Sequence, residues 1–378
     1  MNVLMLTAGT GFGHLSVARA MADAIAEVGM PGQRVTIAAP LGERMDRAYG
    51  WMITRAPDVW GSCYGASSSA AGAAMGRRLL WLRFGGQFSR LVSEMRPSII
   101  VSVHALCTQI ASEYRRASGC DIPLYCVVTD LFDIHRLWAA PAVASYLVAT
   151  SAAAERLVRL GISEKRVIVT GLPLRRPFWT KRMAGYVEVP VRGIAGENAH
   201  DGRLRVLVMD GGMPGPQLVT VVKTIRDAGV PLDIAVAWGH KAPPTHTLEM
   251  VGAHACTVCN LGRGDCMQTA MRAADIIVTK AGSLSVAEAL AVGRPVLIHR
   301  ALPGQEESNP SFVERIGAGI TTPTRKSLID AVRRLSLNPR LRDAMSRKAR
   351  LYGRPDAALD AACHIAGVSR IDAATRPA

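Results

Sequence analysis

The stretch of residues 279–290 has the composition of a phosphate-binding turn. A short β-branched run, Ile276-Ile277-Val278, precedes it and is typical of a buried parallel strand. Gly282-Ser283 then begins a helix-forming series, with Ser283 or Ser285 placed to cap its start. The free N–H groups and the dipole of such a helix start favour a phosphate, and Glu288 follows about one helical turn later, where a carboxylate reaches a ribose. The same residues also fit an ordinary strand–helix–strand unit that binds nothing.

A glycine-containing loop near residue 10 is the second candidate. Thr7-Ala8-Gly9-Thr10-Gly11-Phe12-Gly13-His14 follows the apolar run from Val3 to Leu6 and precedes a helical pattern over residues 15–28. The spacing differs from the dinucleotide fingerprint but uses the same strand–loop–helix arrangement. His14 falls on the first helical turn, at the carboxyl end of a strand, where ligands of open α/β sheets bind. It is either a reactive group or a helix-capping histidine.

Charged and aromatic residues also collect after the predicted strand at residues 123–128. The segment from Thr129 to Trp138 includes Asp130, Asp133 and His135. Because the carboxyl ends of parallel strands meet at one edge of a sheet, we expect this segment to belong to the same site as His14.

Residues 77–84 interleave basic and aromatic side chains. The run Arg77-Arg78-Leu79-Leu80-Trp81-Leu82-Arg83-Phe84 has the composition of an element that lies on a membrane surface. Each arginine near an anionic leaflet contributes about 1 kcal/mol, so the predicted attachment is weak and reversible. An amphipathic helix packed on the sheet is the alternative. No run approaches 18 consecutive apolar residues, so we expect no membrane-spanning helix.

The overall charge does not point to nucleic acid. The 378-residue chain has a formal charge of +15, with 49% hydrophobic and 20% charged residues, as in a globular protein. The excess is spread evenly, since residues 1–178 carry a net +7 and the remainder +8. No basic block or recognition motif accompanies it.

The eight cysteines predict a reducing compartment rather than a disulfide framework. The first residues lack a basic segment and read as a strand, so we expect a cytoplasmic protein. Cys256 and Cys259, with His254 and Cys266 nearby, resemble half of a zinc site. No second Cys-x-x-Cys exists and the surrounding pattern is that of a core strand, so we expect no metal.

The alternation of strands and helices predicts two α/β domains. The expected boundaries are an amino-terminal domain at 1–178, a linker at 179–203, a carboxy-terminal domain at 204–366 and a flexible tail at 367–378. Residues 325–350 read as helical with one break at Asn338-Pro339.

Taken together, the motifs resemble one family of glycosyltransferases. In chain order they are Leu6-Thr7-Ala8 with Gly11-Phe12-Gly13-His14, Val128-Thr129-Asp130 with His135 and Trp138, Val148-Ala149-Thr150, Thr170-Gly171-Leu172-Pro173-Leu174-Arg175, Val278-Thr279-Lys280 with Gly282, and Pro303-Gly304-Gln305-Glu306 with Asn309. This set is similar to that of the monogalactosyldiacylglycerol synthase and processive diacylglycerol glucosyltransferase family, part of glycosyltransferase family 28. The resemblance implies the α/β GT-B fold, with two doubly wound Rossmann-like domains facing each other across a cleft.

The resemblance also implies roles for individual residues. His14 and Asp130 are the expected catalytic pair. Which of them takes the proton is open, and we favour His14 as base with Asp130 as its orienter or as an acceptor ligand, because a histidine near its ordinary pKa suits that task. The expected nucleotide-sugar ligands are Gly211, Gly212, Gly239, Gly282, Ser283, Leu284, Glu288, Gln305, Glu306 and Asn309. The expected acceptor and membrane residues are Gly11, Gly13, Arg77, Arg78, Trp81, Phe84 and His135.

The implied activity is inverting transfer of glucose or galactose from a UDP-sugar to diacylglycerol. The enzyme would need no cofactor beyond the UDP-sugar co-substrate and would lie peripherally on the inner face of the cell membrane. Two alternatives stay open: a GT-B transferase with another acceptor, such as a polyprenyl-linked sugar or a secondary metabolite, and a non-catalytic nucleotide-sugar sensor. Ser283 departs from the family pattern, which has a glycine there.

Overall fold

The computed structural model describes residues 2–9, 12–29, 33–179, 202–209, 215–237, 256–261 and 267–368. The strands are β1 (Asn2–Leu6), β2 (Arg34–Ala38), β3 (Ile99–Ser102), β4 (Leu124–Val127), β5 (Ser145–Val148), β6 (Val167–Val169), β7 (Leu204–Met209), β8 (Leu232–Ala237), β9 (Cys256–Leu261), β10 (Ile276–Lys280), β11 (Val296–Arg300) and β12 (Gly319–Thr321). The helices are α1 (Phe12–Glu27), α2 (Gly42–Arg55), α3 (Pro57–Ser67), α4 (Ala70–Met95), α5 (Ala105–Ser118), α6 (Ser151–Arg159), α7 (Arg176–Trp179), α8 (Gly215–Arg226), α9 (Met267–Ala273), α10 (Ser283–Ala291), α11 (Ser308–Arg315), α12 (Arg325–Leu337), α13 (Pro339–Tyr352) and α14 (Ala357–Ala366).

The strands form two six-stranded parallel sheets, ordered β2-β1-β3-β4-β5-β6 and β12-β11-β10-β7-β8-β9. In the first sheet Leu4 pairs with Thr36 on one side and Ile100 on the other. In the second, Val278 pairs with Val208 and Leu297. Short apolar strands with helices between them form such sheets because both faces are covered. The predicted two-domain Rossmann-like α/β class is confirmed.

The chain divides into two compact units. The first comprises Met1–Arg176, Leu302–Gln305 and Asp356–Ala378, and the second Pro177–Ala301 and Glu306–Pro355. Each has its own hydrophobic core, with Phe88, Ile100 and Tyr146 buried in the first and Val206, Val278 and Leu335 in the second.

The last helix differs from the predicted boundaries. We expected the carboxy-terminal domain to run to residue 366, but α14 packs against α1 and belongs to the first unit. Four of its six buried residues are alanine, and their periodicity in the sequence indicates a buried face but not which of the two cores that face joins. Most of the predicted linker (180–201) and most of the predicted tail (369–378) lie outside the described residues.

Local signals fix several helix ends. The predicted break at residues 338–339 is confirmed, because Asn338 caps α13 by accepting a hydrogen bond from the backbone of Leu341, and Pro339 occupies the first helical position.

Residues 77–84, predicted as a surface element or a packed amphipathic helix, lie in the middle of the 26-residue helix α4. Cys256 and Cys259 lie on β9, as the strand pattern indicated.

Candidate active site

The first unit contains a cavity of about 370 Å³ at the carboxyl ends of β1, β3 and β4. Its lining is mainly apolar, with side chains from α2, α3 and the loop after β4. The polar residues that line it are His14, Ser67, His104, Asp130, His135 and Gln305. An apolar cavity with a few convergent polar groups is the usual form of a small-molecule site. Four of the residues predicted from sequence therefore meet here.

His14 lies on the first turn of α1, and the Nδ1 nitrogen of its ring contacts two neighbouring polar groups. Nδ1 lies 2.9 Å from the carbonyl oxygen of Val103 and 3.2 Å from the hydroxyl of Thr129. A carbonyl only accepts, so Nδ1 carries the hydrogen and the neutral ring keeps a lone pair on Nε2. Burial lowers the pKa of His14, and the bond to Val103 offsets part of that effect. His14 is therefore a neutral ring with a fixed orientation at physiological pH, and its role as base stays a prediction.

Asp130 faces the same cavity but does not orient His14. Its Oδ2 accepts a hydrogen bond of 2.7 Å from the indole of Trp138, and its carboxylate also accepts from the backbone of His135. Burial raises the pKa of the Asp130 carboxyl to about 7, although these two hydrogen bonds lower it. The expected role as orienter belongs to Val103 instead, while the role as acceptor ligand stays a prediction.

His135 ties the loop after β4 to α3. Its Nε2 donates to the carbonyl of Tyr64 at 3.0 Å, and Ser67 Oγ lies 3.2 Å from the same nitrogen. Its Nδ1 accepts from the backbone of Leu137 at 3.1 Å. With both ring nitrogens engaged, His135 shapes the cavity wall rather than offering a reactive atom.

In the second unit, the start of α10 carries the features of an anion site. Gly282 is the residue before the helix, with an extended backbone, and its carbonyl accepts from Val286. The first N–H groups of α10 are therefore free of partners within the helix. The expectation that Ser283 or Ser285 caps this helix is wrong, because Ser283 is already its first residue and no side chain caps the start.

Charged and polar side chains surround this helix start. Lys280 pairs with the buried carboxylate of Glu306, and a Cβ on Gly282 would lie 3.4 Å from the lysine ammonium. Asn309 donates to the carbonyl of Ala281 at 2.7 Å and lies 3.4 Å from the Ser283 hydroxyl. Glu306, Asn309 and Ser283 are thus brought together as predicted.

The other predicted ligands of the nucleotide-sugar do not all lie at the start of α10. Leu284 is on the first turn of α10, and Glu288 is buried further along it at 3% exposure. Gln305 belongs instead to the first unit, where it lines the cavity. Gly211, Gly212 and Gly239, together with Gly11 of the first loop, lie outside the described residues. Gly13 is the second residue of α1, and a Cβ there would meet no heavy atom within 4 Å.

The predicted membrane residues do not share one face of α4. Phe84 is in the hydrophobic core, and Arg77 forms a 3.0 Å ion pair with Glu113 of α5. The Trp81 ring covers Gly85. This part of the prediction is wrong because eight consecutive helical residues turn through all faces. Arg78 does lie on the exposed face, and no helix in the described part of the chain is both long and apolar enough to cross a bilayer.

Three contributors to these sites were not among the site residues that the sequence singled out. His104 lines the cavity directly after β3, and Val103 and Thr129 hold the His14 ring. His104 satisfies the same positional rule that singled out His14, namely a polar residue at the carboxyl end of a central parallel strand. The Val103 contact is made by a backbone carbonyl, which carries no side-chain signal.

Comparison with known proteins agrees with this geometry. Residues 40–174 match the family model for monogalactosyldiacylglycerol (MGDG) synthase, and residues 264–360 match that for the glycosyltransferase family 28 C-terminal domain. The processive diacylglycerol beta-glucosyltransferase of Bacillus subtilis is 26% identical over 344 residues, which cover 88% of this chain and 86% of that protein. Monogalactosyldiacylglycerol synthase 3 of Arabidopsis thaliana is 27% identical over 382 residues, with 95% and 79% coverage.

Solved structures share the fold at lower identity. MurG of Acinetobacter baumannii superposes with a TM-score of 0.64 at 20% identity, covering 97% of this chain and 99% of that one. The UDP-GlcNAc 2-epimerase of Neisseria meningitidis, solved with UDP-GlcNAc bound, gives a TM-score of 0.61 at 12% identity, covering 97% and 100%. The first matched model lies within the first unit, and the second lies mostly within the second unit. The chain is accordingly a glycosyltransferase, and its two matched segments are similar to the monogalactosyldiacylglycerol synthase model and to the glycosyltransferase family 28 C-terminal domain.

Proposed function

We propose that the protein transfers a hexose, glucose or galactose, from a UDP-sugar to the free hydroxyl of diacylglycerol with inversion at the sugar carbon. The observation that carries this proposal is the His14 ring, whose Nδ1–H is bonded to the carbonyl of Val103 while the side chain lines an apolar cavity. A lipid alcohol fits such a cavity, and a neutral imidazole is the group that accepts its proton.

The reaction needs three coordinated changes. The acceptor oxygen attacks C1 of the hexose while its proton passes to Nε2 of His14. The bond between C1 and the diphosphate oxygen breaks, and UDP leaves with the electron pair. We propose that the start of α10 and the Lys280 ammonium stabilise that leaving charge, which is usually a large contribution to catalysis.

Relatives support the choice of acceptor. Both curated relatives above are named for synthesis of glycosyldiacylglycerols, and they align with most of this chain. We infer the same acceptor class here. Glu306 and Asn309, beside the helix start, are the proposed ligands of the sugar hydroxyls, and Glu288 that of the ribose.

For membrane attachment we propose the outer face of α4, which shares only Arg78 with the residues first predicted. Met75, Leu79 and Leu82 are 60%, 58% and 73% exposed, and Arg78 and Arg83 lie among them. Their spacing of three and four residues places them on one stripe. We propose that this stripe rests on an anionic lipid surface, inserting its apolar side chains while the arginines contact headgroups.

The test is transfer of label from sugar-labelled UDP-glucose or UDP-galactose into lipid extracts of diacylglycerol vesicles. We expect lipid-linked label from at least one donor. His14→Asn keeps a donor where Nδ1 lies but removes Nε2, so kcat should fall by about 10²–10⁴-fold, while calorimetric binding of UDP stays unchanged. The absence of labelled lipid with both donors, or His14→Asn retaining a tenth of the activity, would refute the proposal.

A further inference from the structure

A second histidine shares the cavity with His14. His104 follows β3 directly and precedes α5, with an extended backbone and no capping bond from its side chain. Its ring lies 4.7 Å from that of His14, centroid to centroid, at an interplanar angle of 78°. The edge of one imidazole therefore contacts the face of the other, and both residues line the cavity.

The two rings present opposite hydrogen-bonding groups. His104 Nδ1 is buried and has no hydrogen-bond partner among the described residues. A buried N–H without an acceptor costs more than a bare lone pair, so the hydrogen of the neutral ring lies on Nε2. His14 has the reverse arrangement, because its Nδ1–H is bonded to Val103. The pair thus offers one lone pair, on His14, and one N–H donor, on His104.

Other polar side chains of the cavity already have partners. Both nitrogens of His135 are engaged by Tyr64 and Leu137. Asp130 accepts from Trp138 and from the backbone of His135. The His104 side chain, in contrast, makes no hydrogen bond within the part of the chain that the structure describes.

The combination of one acceptor and one donor matches an alcohol with a neighbouring ester. In 1,2-diacylglycerol the free hydroxyl donates to a base, and the ester carbonyl on the adjacent carbon needs a donor. We propose that His104 is a positioning residue that donates from Nε2 to this ester carbonyl, which aligns the hydroxyl with His14. The inference rests on the proposed function and adds a specificity: the enzyme distinguishes ester-linked from ether-linked lipid acceptors.

The decisive experiment compares 1,2-diacylglycerol with 1,2-dialkylglycerol of equal chain length, at saturating UDP-sugar. The ether lipid keeps the hydroxyl and both chains but lacks the carbonyl oxygens. For the unmodified protein we expect kcat/KM to be about tenfold higher with the ester, the size of one hydrogen bond. His104→Phe should lose that preference by losing activity on the ester alone, whereas His104→Gln, which keeps an N–H near Nε2, should retain most of it.

Leu106→Ala is the matched control, since Leu106 lines the same cavity without a polar atom. It should affect both lipids alike. Equal kcat/KM values for the two lipids with the unmodified protein, or parallel losses on both with His104→Phe, would overturn the role of His104 while leaving the proposed function intact. Transfer to neither lipid would instead refute the proposed function and this inference with it.

Discussion

At the scale of single residues, Asp130 shows how burial beside the cavity raises the pKa of a carboxyl group. Its carboxyl is 6% exposed, and burial raises its pKa to about 7, from 3.8 for the free side chain. Between these two values the folded protein holds a proton that the unfolded chain has released. The contribution of Asp130 to the stability of the folded state therefore falls as pH rises from about 4 to about 7, and stays level above that range.

Asp130→Asn should remove this dependence. The amide oxygen still accepts from Trp138 but never ionises, so the variant should be more stable than the unmodified protein at neutral pH. Each pKa unit corresponds to about 1.4 kcal/mol, so the advantage in unfolding free energy should grow by about 2–3 kcal/mol between pH 5 and pH 8. Urea unfolding at the two pH values measures it.

Asp133→Asn provides the comparison for that experiment. Asp133 is 62% exposed on its side chain and pairs with Arg156 at 3.3 Å, so its loss should change stability by less than about 1 kcal/mol at either pH. If the advantage of Asp130→Asn were the same at pH 5 and pH 8, the carboxyl would not titrate between those values in the folded state.

At the scale of elements, the strands were predictable and one helix was not. Runs such as Ile276–Val278 are buried on both sheet faces, so their composition alone identifies them. In α4, composition suggested a membrane element, but only the 3.6-residue period separates Phe84, which is in the core, from Leu82, which is exposed. The sequence shows which side chains have the chemistry to contact lipid, whereas the packing of α4 on α5 decides which of them are exposed.

The exposed stripe of α4 gives a direct test of lipid attachment. Leu79→Gln with Leu82→Gln should weaken binding to vesicles of equal phosphatidylcholine and phosphatidylglycerol by at least about tenfold, because burying each leucine contributes about 1.5–3 kcal/mol. Co-sedimentation measures the partition. Both residues are exposed, so thermal stability should be nearly unchanged.

A control for exposed leucine as such comes from the second unit. Leu337 and Leu351 are 73% and 71% exposed on α12 and α13. Replacing both with glutamine should leave vesicle binding unaltered. Equal losses from the two double variants would show that binding does not depend on the α4 stripe.

At the scale of the whole molecule, the chain returns to the unit where it began. The helix α14 packs against α1, and α1 carries His14 on its first turn. The contact joins helices more than 300 positions apart in sequence, and the buried residues of α14 include Ala358, Ala361 and Ala362. Hydrophobic periodicity indicates that these alanines face a core, but it does not reveal which of two cores.

The assignment of α14 to the first unit predicts that a carboxy-terminal substitution damages the amino-terminal site. Ala361→Arg places an unpaired charge at a fully buried position and should cost at least about 3 kcal/mol, which lowers the melting temperature by roughly 6–12 °C. UDP binding, proposed for the second unit, should survive while transfer to lipid is lost. Leu351→Arg adds the same charge on the exposed face of α13 and should shift melting by no more than about 1 °C. If Ala361→Arg abolished UDP binding but left the first unit's unfolding transition in place, α14 would stabilise the second unit and not the helix that carries His14.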